Sequence, residues 1–489
     1  GRGANFWFSP EIRMRSAAML CGLLIVLTSL TSASHMFKVD RAIQYSIDQV
    51  SYGSQTARVN FPGTVHEDGI PPAAHTISLL KACSSDTQVQ LHPNATAALI
   101  VLPEEPTPEQ VTCLKSIESS IMSQSWSYPI YFATEDAHLN EIVSDVRDGS
   151  LDRYQFVAAD LSEPIVSPSI TNLYGWIYGK SDTPKETVVI VAGWDSLVAI
   201  PGRGSGDASA VTAFLHLARL FHRVKMQESL GDVSLLFVLT GASALAGEGS
   251  QHFISELDAR IIETIKLVIC LDSLKGDTLT LHASSESKSA ESFNKFQKAL
   301  KTAASDFGVT VGTSSEDDGN WEHRHYSREG MTSLTVSDKT DRMRSITYSS
   351  VFDKPATCDQ VTRSVNAIAE SIARFIFDVE SSGLTQGSNA VNMQSVSSWL
   401  DYLGSQPRIA PALPADSTLV SDLQQEMSTH LSDVTVKTFK LSPKFTIFPQ
   451  SPKSMSSFRV KPFVFDVLVT GSVSLYLGAL YFAVKKLSM

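Results

Sequence analysis

The sequence lacks any excess of basic residues. Its 489 residues include 40 Lys and Arg against 51 Asp and Glu, which gives a formal net charge of −11. A nucleic-acid-binding surface needs a stripe of positive charge, so this balance argues against that class of protein. The chain also lacks any internal repeat. Its length is sufficient for the hydrophobic cores of two or three domains.

Cysteine is scarce, with five residues in the whole chain. Cys21 lies in an apolar run near the start of the chain. Cys83 and Cys113 could form a disulfide, but the sequence does not determine the pairing. Cys270 falls within the apolar run LVICLD, and we expect it to be a buried free thiol. The set is consistent with a lumenal protein.

Long apolar runs occur near the two ends of the chain. After Met14 come the basic residue Arg15, an apolar stretch from about Ala17 to Leu30, and small residues at 31–34. This order is typical of a secretory signal peptide. We therefore predict that residues 1–34 comprise upstream sequence and a signal peptide. The alternative is an uncleaved anchor helix.

The second apolar run, 463–484, reads FVFDVLVTGSVSLYLGALYFAV and is long enough to span a bilayer. Together with a cleaved signal peptide, it predicts a single-pass type I membrane protein with its bulk in the lumen and residues 485–489 in the cytosol. The charged residues at its entry are candidate membrane contacts, and the alternative is plain snorkelling of their side chains. These residues are Arg459, Lys461 and Asp466.

The lumenal part begins with a region, 35–160, that reads as a small α/β lobe. Apolar runs at 97–103 and 128–136 predict buried strands, with a helix between them that starts near Pro106. A single N-glycosylation sequon at Asn94 predicts an exposed, modified loop in the secretory pathway.

Within a predicted α/β domain at 161–380, residues 185–380 alternate between strand-like and helix-like segments. Near-continuous apolar strands separated by helices predict a largely parallel sheet with helices on both faces. Ligands of such sheets bind at the carboxyl ends of the strands, where Asp195, Thr240 and Asp272 fall. The predicted strands are 188–192, 233–239, 267–271 and 332–336, and the predicted helices lie around 209–224, 293–307 and 361–376.

Residues 381–460 are predicted to form a linker and a juxtamembrane lobe. The part before Pro414 is rich in Ser, Gly, Asn, Gln and Pro, which is typical of a loop, with a short amphipathic piece at 396–403. The part after it combines a helical segment at 419–431 with the alternating sequence VTVKTFKL.

The central motifs resemble those of the M28-type zinc aminopeptidases over about residues 190–345. Those enzymes hold two zinc ions through histidine and carboxylate ligands at strand ends, and a Glu serves as general base. Here both histidines, the bridging acid and the base are replaced. Gly193 and Asp338 stand at the histidine positions, Gly206 stands at the bridging acid with Asp207 displaced by one, Ser243 and Ala244 stand at the base and its neighbouring ligand, and Asp195 and Asp272 keep their acids.

This resemblance implies an aminopeptidase-like fold without catalysis, zinc or another cofactor. The aspartates at the strand ends are expected to cap helices or bond loop amides. The alternative is a hard cation such as Ca²⁺ or Mg²⁺ held by Asp195, Asp207, Asp272 and Asp338. His323 and His325, in the segment WEHRHY, are expected to form a hydrogen-bonded cluster on a surface loop.

A narrower resemblance is to the nicalin family of nicastrin-like proteins of the endoplasmic reticulum. It is carried by FLHLARLF at 214–221, by CLD at 270–272, by WEH at 321–323, and by FRVKPFVFDVL running into YLGALYFAV up to 484. The last stretch covers a membrane entry that the peptidases do not share.

The nicalin resemblance implies a scaffold or assembly subunit of a translocon-associated complex that aids the biogenesis of multi-spanning membrane proteins. The implied partners are a Nodal modulator-like lumenal protein, a small multipass membrane protein and the Sec translocon. The alternatives are a nicastrin-like lumenal substrate receptor of an intramembrane protease and, less favoured, an active zinc aminopeptidase.

Overall fold

The computed structural model describes residues 34–65, 77–81, 91, 95–147, 153–158, 163–181, 183–204, 207–227, 230–314, 319–340, 348–379, 383–385, 387–413, 417–448, 453–460 and 463–487. Residues 1–33 of the predicted upstream and signal-peptide segment, Cys83, the sequon residue Asn94, Gly206 and Lys461 lie outside the described residues; Ser34, the last residue of that predicted segment, begins the first strand.

The strands, in chain order, are β1 (Ser34–Arg41), β2 (Gln44–Ile47), β3 (Val50–Gly53), β4 (Val59–Val65), β5 (Ile77–Lys81), β6 (Ala97–Leu102), β7 (Ile130–Thr134), β8 (Arg153–Ala158), β9 (Ile165–Val166), β10 (Ser169–Ile177), β11 (Glu186–Gly193), β12 (Val233–Thr240), β13 (Ile265–Leu271), β14 (Thr278–His282), β15 (Thr310–Thr313), β16 (Ser333–Ser337), β17 (Ser432–Lys440), β18 (Phe445–Phe448) and β19 (Lys453–Val460).

The helices, in chain order, are α1 (Pro108–Ser123), α2 (Ala137–Arg147), α3 (Ser209–Gln227), α4 (Glu248–Glu256), α5 (Ala259–Thr264), α6 (Ser285–Ser289), α7 (Glu291–Asp306), α8 (His323–Arg328), α9 (Cys358–Phe377), α10 (Met393–Ser405), α11 (Leu419–His430) and α12 (Phe463–Leu487). Short 3₁₀ turns lie at Gly387–Asn389 and Ala410–Ala412.

The N-terminal region forms a closed barrel in the order β1-β19-β8-β4-β5-β6-β7. The strand and helix predictions for 97–103, 128–136 and the segment between them are confirmed by β6, β7 and α1. Alternate residues of these strands point into a separate core cluster, because successive side chains of a strand face opposite sides. That cluster includes Val39, Leu79, Leu99, Phe156 and Met455.

The central region forms an eight-stranded sheet in the order β15-β14-β16-β13-β11-β12-β10-β17. Strands β12, β11, β13 and β16 are parallel neighbours, as predicted, whereas β10 and β17 add antiparallel pairings at one edge and β14 pairs antiparallel with β16. The prediction of helices on both faces is confirmed. On β11, Ile190 packs in the core that includes α3 and α9, and Val191 packs in the opposite core that includes α4.

The segment predicted as a juxtamembrane lobe does not form a unit of its own. Strand β17 extends the eight-stranded sheet, β18 pairs with β2 and β9 in a four-stranded sheet, and β19 completes the barrel between β1 and β8. Each of these strands pairs with strands built from earlier residues, so the segment adds to existing sheets and does not form a separate domain.

Helix α12 occupies the C-terminal apolar run, so its helical conformation is as predicted. Within the part of the chain that the structure describes, no helix meets the combination of length and apolarity needed to cross a membrane. The expected free and buried thiol of Cys270 is confirmed, and Cys358 is also free. Cys113 is disulfide-bonded.

Candidate functional site at the carboxyl ends of the parallel strands

A cavity of about 80 Å³ lies at the carboxyl edge of the parallel strands, and it is large enough for a few water molecules. Parallel strands end at the same edge of a sheet, so the residues after them converge there. Asp338 lies beside the cavity, where its backbone N–H donates to the carbonyl of Ser273 at 2.8 Å. The predicted positions that line the cavity are Gly193, Asp195, Asp207, Ser243, Ala244 and Asp272.

Asp195 follows β11 by two residues and bonds the loop after β12. Its Oδ1 accepts a hydrogen bond from the backbone N–H of Ser243 at 2.9 Å. Burial raises the pKa of Asp195 to about 7, and the negative charge of Glu322 acts in the same direction. The carboxyl group thus bonds a loop amide, which is one of the two roles expected from the sequence.

Asp207 lies at the start of α3 and binds groups on both of its carboxylate oxygens. Oδ1 accepts from the hydroxyl and the backbone N–H of Ser209, at 2.7 and 3.2 Å. Oδ2 accepts from the Ser273 hydroxyl at 2.7 Å and lies 3.6 Å from Nζ of Lys275. Burial opposes ionisation, but the ammonium groups of Lys275 and Lys339 together with the two serine hydroxyls outweigh it, so the pKa of Asp207 is lowered.

Asp272 has a similar environment after β13. Its Oδ2 accepts from the Ser337 hydroxyl at 2.8 Å and lies 3.9 Å from Nζ of Lys339. Burial raises the pKa of the neighbouring Asp338. Asp207, just before α3, and Asp272, just after β13, therefore both have an ammonium group of the same chain beside them.

Glu322 brings a carboxylate to the cavity that sequence reasoning did not predict. It directly precedes α8, is buried, and lines the cavity. It accepts hydrogen bonds from the hydroxyls of Ser243 at 3.0 Å and Thr240 at 3.4 Å, and a short one from Ser250. Ser243, at the general-base position of the peptidases, is therefore a donor to a fixed carboxylate.

Arg408 forms another wall of the cavity and was also not predicted. Its Nη1 donates to the carbonyl of Trp194 at 3.1 Å, and its Nη2 donates to the carbonyl of Asp207 at 2.5 Å. Burial lowers the pKa of Arg408, and the nearby carboxylates of Asp207 and Asp195 oppose that effect. The segment predicted as a linker thus supplies a buried cation that bonds both ends of the loop between β11 and α3.

These residues do not fit the zinc pair that the peptidase resemblance implies. A Cβ atom added to Gly193 would lie 2.5 Å from Cβ of Ser243, so a histidine there would require Ser243 to move. The described lining residues include no histidine, and ammonium groups stand beside Asp207 and Asp272. Across the described ranges, no group of three or more His, Cys, Asp or Glu side chains is placed to hold a metal ion.

The expectation of a surface cluster at His323 and His325 is wrong. Both side chains are buried, and they belong to helix α8, which packs onto the sheet with Tyr326 in its core. Nδ1 of His323 lies 2.9 Å from the hydroxyl of Thr335 on β16. Burial lowers the pKa of His323 to about 3, because the charged imidazolium is poorly solvated there.

The similarity of this chain to known proteins extends well beyond the residues that line the cavity. Residues 172–376 match peptidase family M28. The human protein named BOS complex subunit NCLN is 27% identical over a gapped alignment of 520 positions, which covers 96% of this chain and 92% of that protein. Nicalin of Caenorhabditis elegans is 23% identical over 349 residues, covering 62% of this chain and 60% of the worm protein. The chain resembles the nicalins along nearly its whole length.

The resemblance to nicalin expected from the short motifs is therefore confirmed. Among solved structures, the crystal structure of the γ-secretase component nicastrin matches with a TM-score of 0.61, over 86% of this chain and 99% of the nicastrin chain. The identity in that match is 10%, so it supports a common fold of nicalin-like and nicastrin chains and nothing about function.

Proposed function

We propose that this chain is a non-catalytic subunit of a membrane protein complex of the nicalin type. The observation that carries the proposal is the similarity to proteins named as BOS complex subunits, which covers 96% of this chain. A match of that extent includes the barrel, the eight-stranded sheet and the C-terminal strands together. The proposal therefore concerns the whole chain and not the peptidase-like region alone.

The absence of peptidase activity is part of the proposal, and the cavity supports it. Metal-dependent hydrolysis needs ligands for the ion and a base for its bound water. Here Gly193 has no room for a side chain, Ser243 donates to Glu322, and Lys275 stands beside Asp207. The cavity of about 80 Å³ is also too small for a peptide substrate.

We further propose that α12 anchors the chain in the endoplasmic reticulum membrane, with the bulk of the protein in the lumen. Exposed apolar side chains along the helix support this, because an apolar surface without protein contacts favours lipid. Arg459 and Asp466 are exposed at its entry and, with Lys461, are the proposed membrane contacts. The exposed apolar residues include Val467, Leu468, Val473, Leu475, Leu477, Leu480 and Phe482.

The role that the nicalin resemblance suggests is assistance in the biogenesis of multi-spanning membrane proteins beside the Sec translocon. The proposed partners are a large Nodal modulator-like lumenal protein and a small multipass membrane protein. In this role the peptidase-like domain acts as a rigid scaffold, and its cavity has only a structural part.

Affinity purification of the tagged full-length chain, solubilised gently from microsomes, tests this proposal. We expect a Nodal modulator-like protein, a small multipass subunit and translocon components to copurify. The same set should copurify with a Lys275→Met variant, because the cavity is not the binding site. Copurification of a presenilin-type protease would favour the receptor alternative, and two zinc ions per purified chain would favour the aminopeptidase.

A further inference from the structure

The first and last strands of the barrel lie side by side and bring two distant parts of the chain to one barrel end. Strand β1 runs antiparallel to β19, with Ser34 opposite Phe458. The start of β1 and the finish of β19 therefore lie at the same end of the barrel. Strand β8 begins there too, because Tyr154 is opposite Arg459.

Two large apolar side chains are exposed on the outer face at this end. Met36 is 67% exposed and Phe458 is 38% exposed, whereas their strand neighbours Phe37 and Ser457 are buried. Met36 is opposite Ser456, so Phe458 is its diagonal neighbour, within reach of a long side chain. Outside α12, Phe458 is the one Phe, Tyr or Trp residue among the exposed large apolar side chains of the described part of the chain.

The chain length between the barrel and α12 fixes how far apart they can be. Strand β19 ends at Val460 and α12 begins at Phe463. Three residues span at most about 11 Å when fully extended. The headgroup region on each side of a bilayer is about 5–8 Å deep, so an α12 that enters the membrane places this barrel end at the lipid surface.

We propose that this barrel end is a second membrane contact, at which Met36 and Phe458 enter the headgroup region of the lumenal leaflet. The inference rests on the proposed insertion of α12. The partner is the lipid surface itself: the apolar side chains of Met36 and Phe458 lie at the boundary between headgroups and acyl chains. Such a contact holds the lumenal domain in one orientation against the membrane.

Fluorescence quenching on the full-length chain in phosphatidylcholine vesicles tests this contact. An environment-sensitive fluorophore is attached at Met36→Cys, in a Cys358→Ser background, and nitroxide-labelled lipids serve as quenchers. Met226→Cys is the matched control, because Met226 is a 75% exposed methionine on α3, outside the barrel. Leu477→Cys reports insertion of α12. We expect quenching at positions 36 and 477 to exceed that at 226 by about twofold or more, as for a side chain at the lipid interface.

The three positions separate the two proposals. Quenching at 477 with position 36 indistinguishable from 226 would overturn the barrel contact and leave the membrane anchor in place. Absence of quenching at both 477 and 36 would overturn both. As a further check, a fluorophore at Ser456→Cys, opposite Met36 on the same outer face of β19, should lose its lipid quenching when Met36 and Phe458 are both changed to Glu. The doubly changed chain should still unfold cooperatively, because both side chains lie on the outer face of the barrel. Unchanged quenching would contradict the contact.

Discussion

The ammonium nitrogen of Lys275 lies 3.6 Å from Oδ2 of Asp207, beside the first turn of α3. Lys339 stands in the same relation to Asp272, at 3.9 Å. In the M28 enzymes that this region resembles, carboxylates near these positions are neutralised by metal ions. In this chain an ammonium group lies beside each of these two carboxylates and contributes a compensating positive charge.

Replacing Lys275 with Met should lower the free energy of unfolding by about 1–3 kcal/mol, because Asp207 would keep its buried charge and lose a partner. Urea unfolding of the purified full-length chain measures the change. Lys295→Met is the matched control: Lys295 lies 2.8 Å from Asp378, whose side chain is 82% exposed. A surface pair of that kind contributes much less, because solvent screens the two charges. Equal losses in the two variants would contradict the account of the cavity.

Gly193→Ala should destabilise the protein by about 1–3 kcal/mol, the usual cost of overpacking a tight site. The new Cβ would lie 2.5 Å from Cβ of Ser243, which is fixed by bonds to Asp195 and Glu322. Thermal unfolding compares it with Gly404→Ala in α10, where a Cβ would meet nothing within 4 Å. That control should be neutral or stabilising. An equally harmless Gly193→Ala would show that a side chain, and hence a ligand, fits there.

Asp195→Asn should make the stability of the protein less dependent on pH. The folded-state pKa of Asp195 is raised from 3.8 to about 7. Between these values the folded protein holds a proton that the unfolded chain releases, so this residue lowers stability as pH rises from about 4 to 7. The asparagine carbonyl can still accept from Ser243. Urea unfolding measures the free energy of unfolding of the variant minus that of the wild type. We expect this difference to be larger at pH 7 than at pH 4. A difference that is the same at both pH values would contradict the raised pKa of Asp195.

Glu118→Ala should loosen the contact between the barrel helix α1 and the loop that precedes α9. Glu118 is 2% exposed, accepts from the backbone N–H of Val351 at 3.2 Å, and also accepts from the Ser350 hydroxyl. Removing it leaves these donors unpaired at a cost of about 1–3 kcal/mol. Hydrogen exchange at the Val351 amide should accelerate.

Lys115→Ala serves as the control on the same helix. Lys115 pairs with Asp353 at the partly exposed rim of the same contact, and it should have the smaller effect. If the two variants accelerate exchange equally, the buried carboxylate of Glu118 is not what fastens the loop.

The central strands were predictable because each is a short, nearly continuous apolar run. Runs such as VVIVA and LVICL are typical of strands in a parallel sheet that is covered on both faces. Because parallel strands end at the same edge, the residues after them converge there. Lys275 and Lys339 also left a signal, since each stands within three residues of a site aspartate. The sequence does not show, however, that their ammonium groups lie beside Asp207 and Asp272, because that depends on how the loops fold.

Other parts of the cavity depend on tertiary contacts that leave no local pattern. Arg408 comes from a stretch whose composition is typical of a linker, and Glu322 is brought in by the packing of α8 on β16. The burial of His323 follows from the same packing. Likewise, the alternation in β17 indicates a strand but not which sheet that strand joins.

The pairing of β1 with β19 has a consequence for biosynthesis. The ribosome makes the chain from its N-terminus. Strand β1 can pair with β7 early, but its other barrel neighbour, β19, is translated after all the other strands of the three sheets. The four-stranded sheet and one edge of the eight-stranded sheet are likewise completed by β18 and β17. A nascent chain that stops short of β17 leaves an edge open in every sheet, and unpaired edges are where aggregation begins. We therefore expect truncated chains to be recognised as misfolded as a whole, and not to leave a folded N-terminal domain.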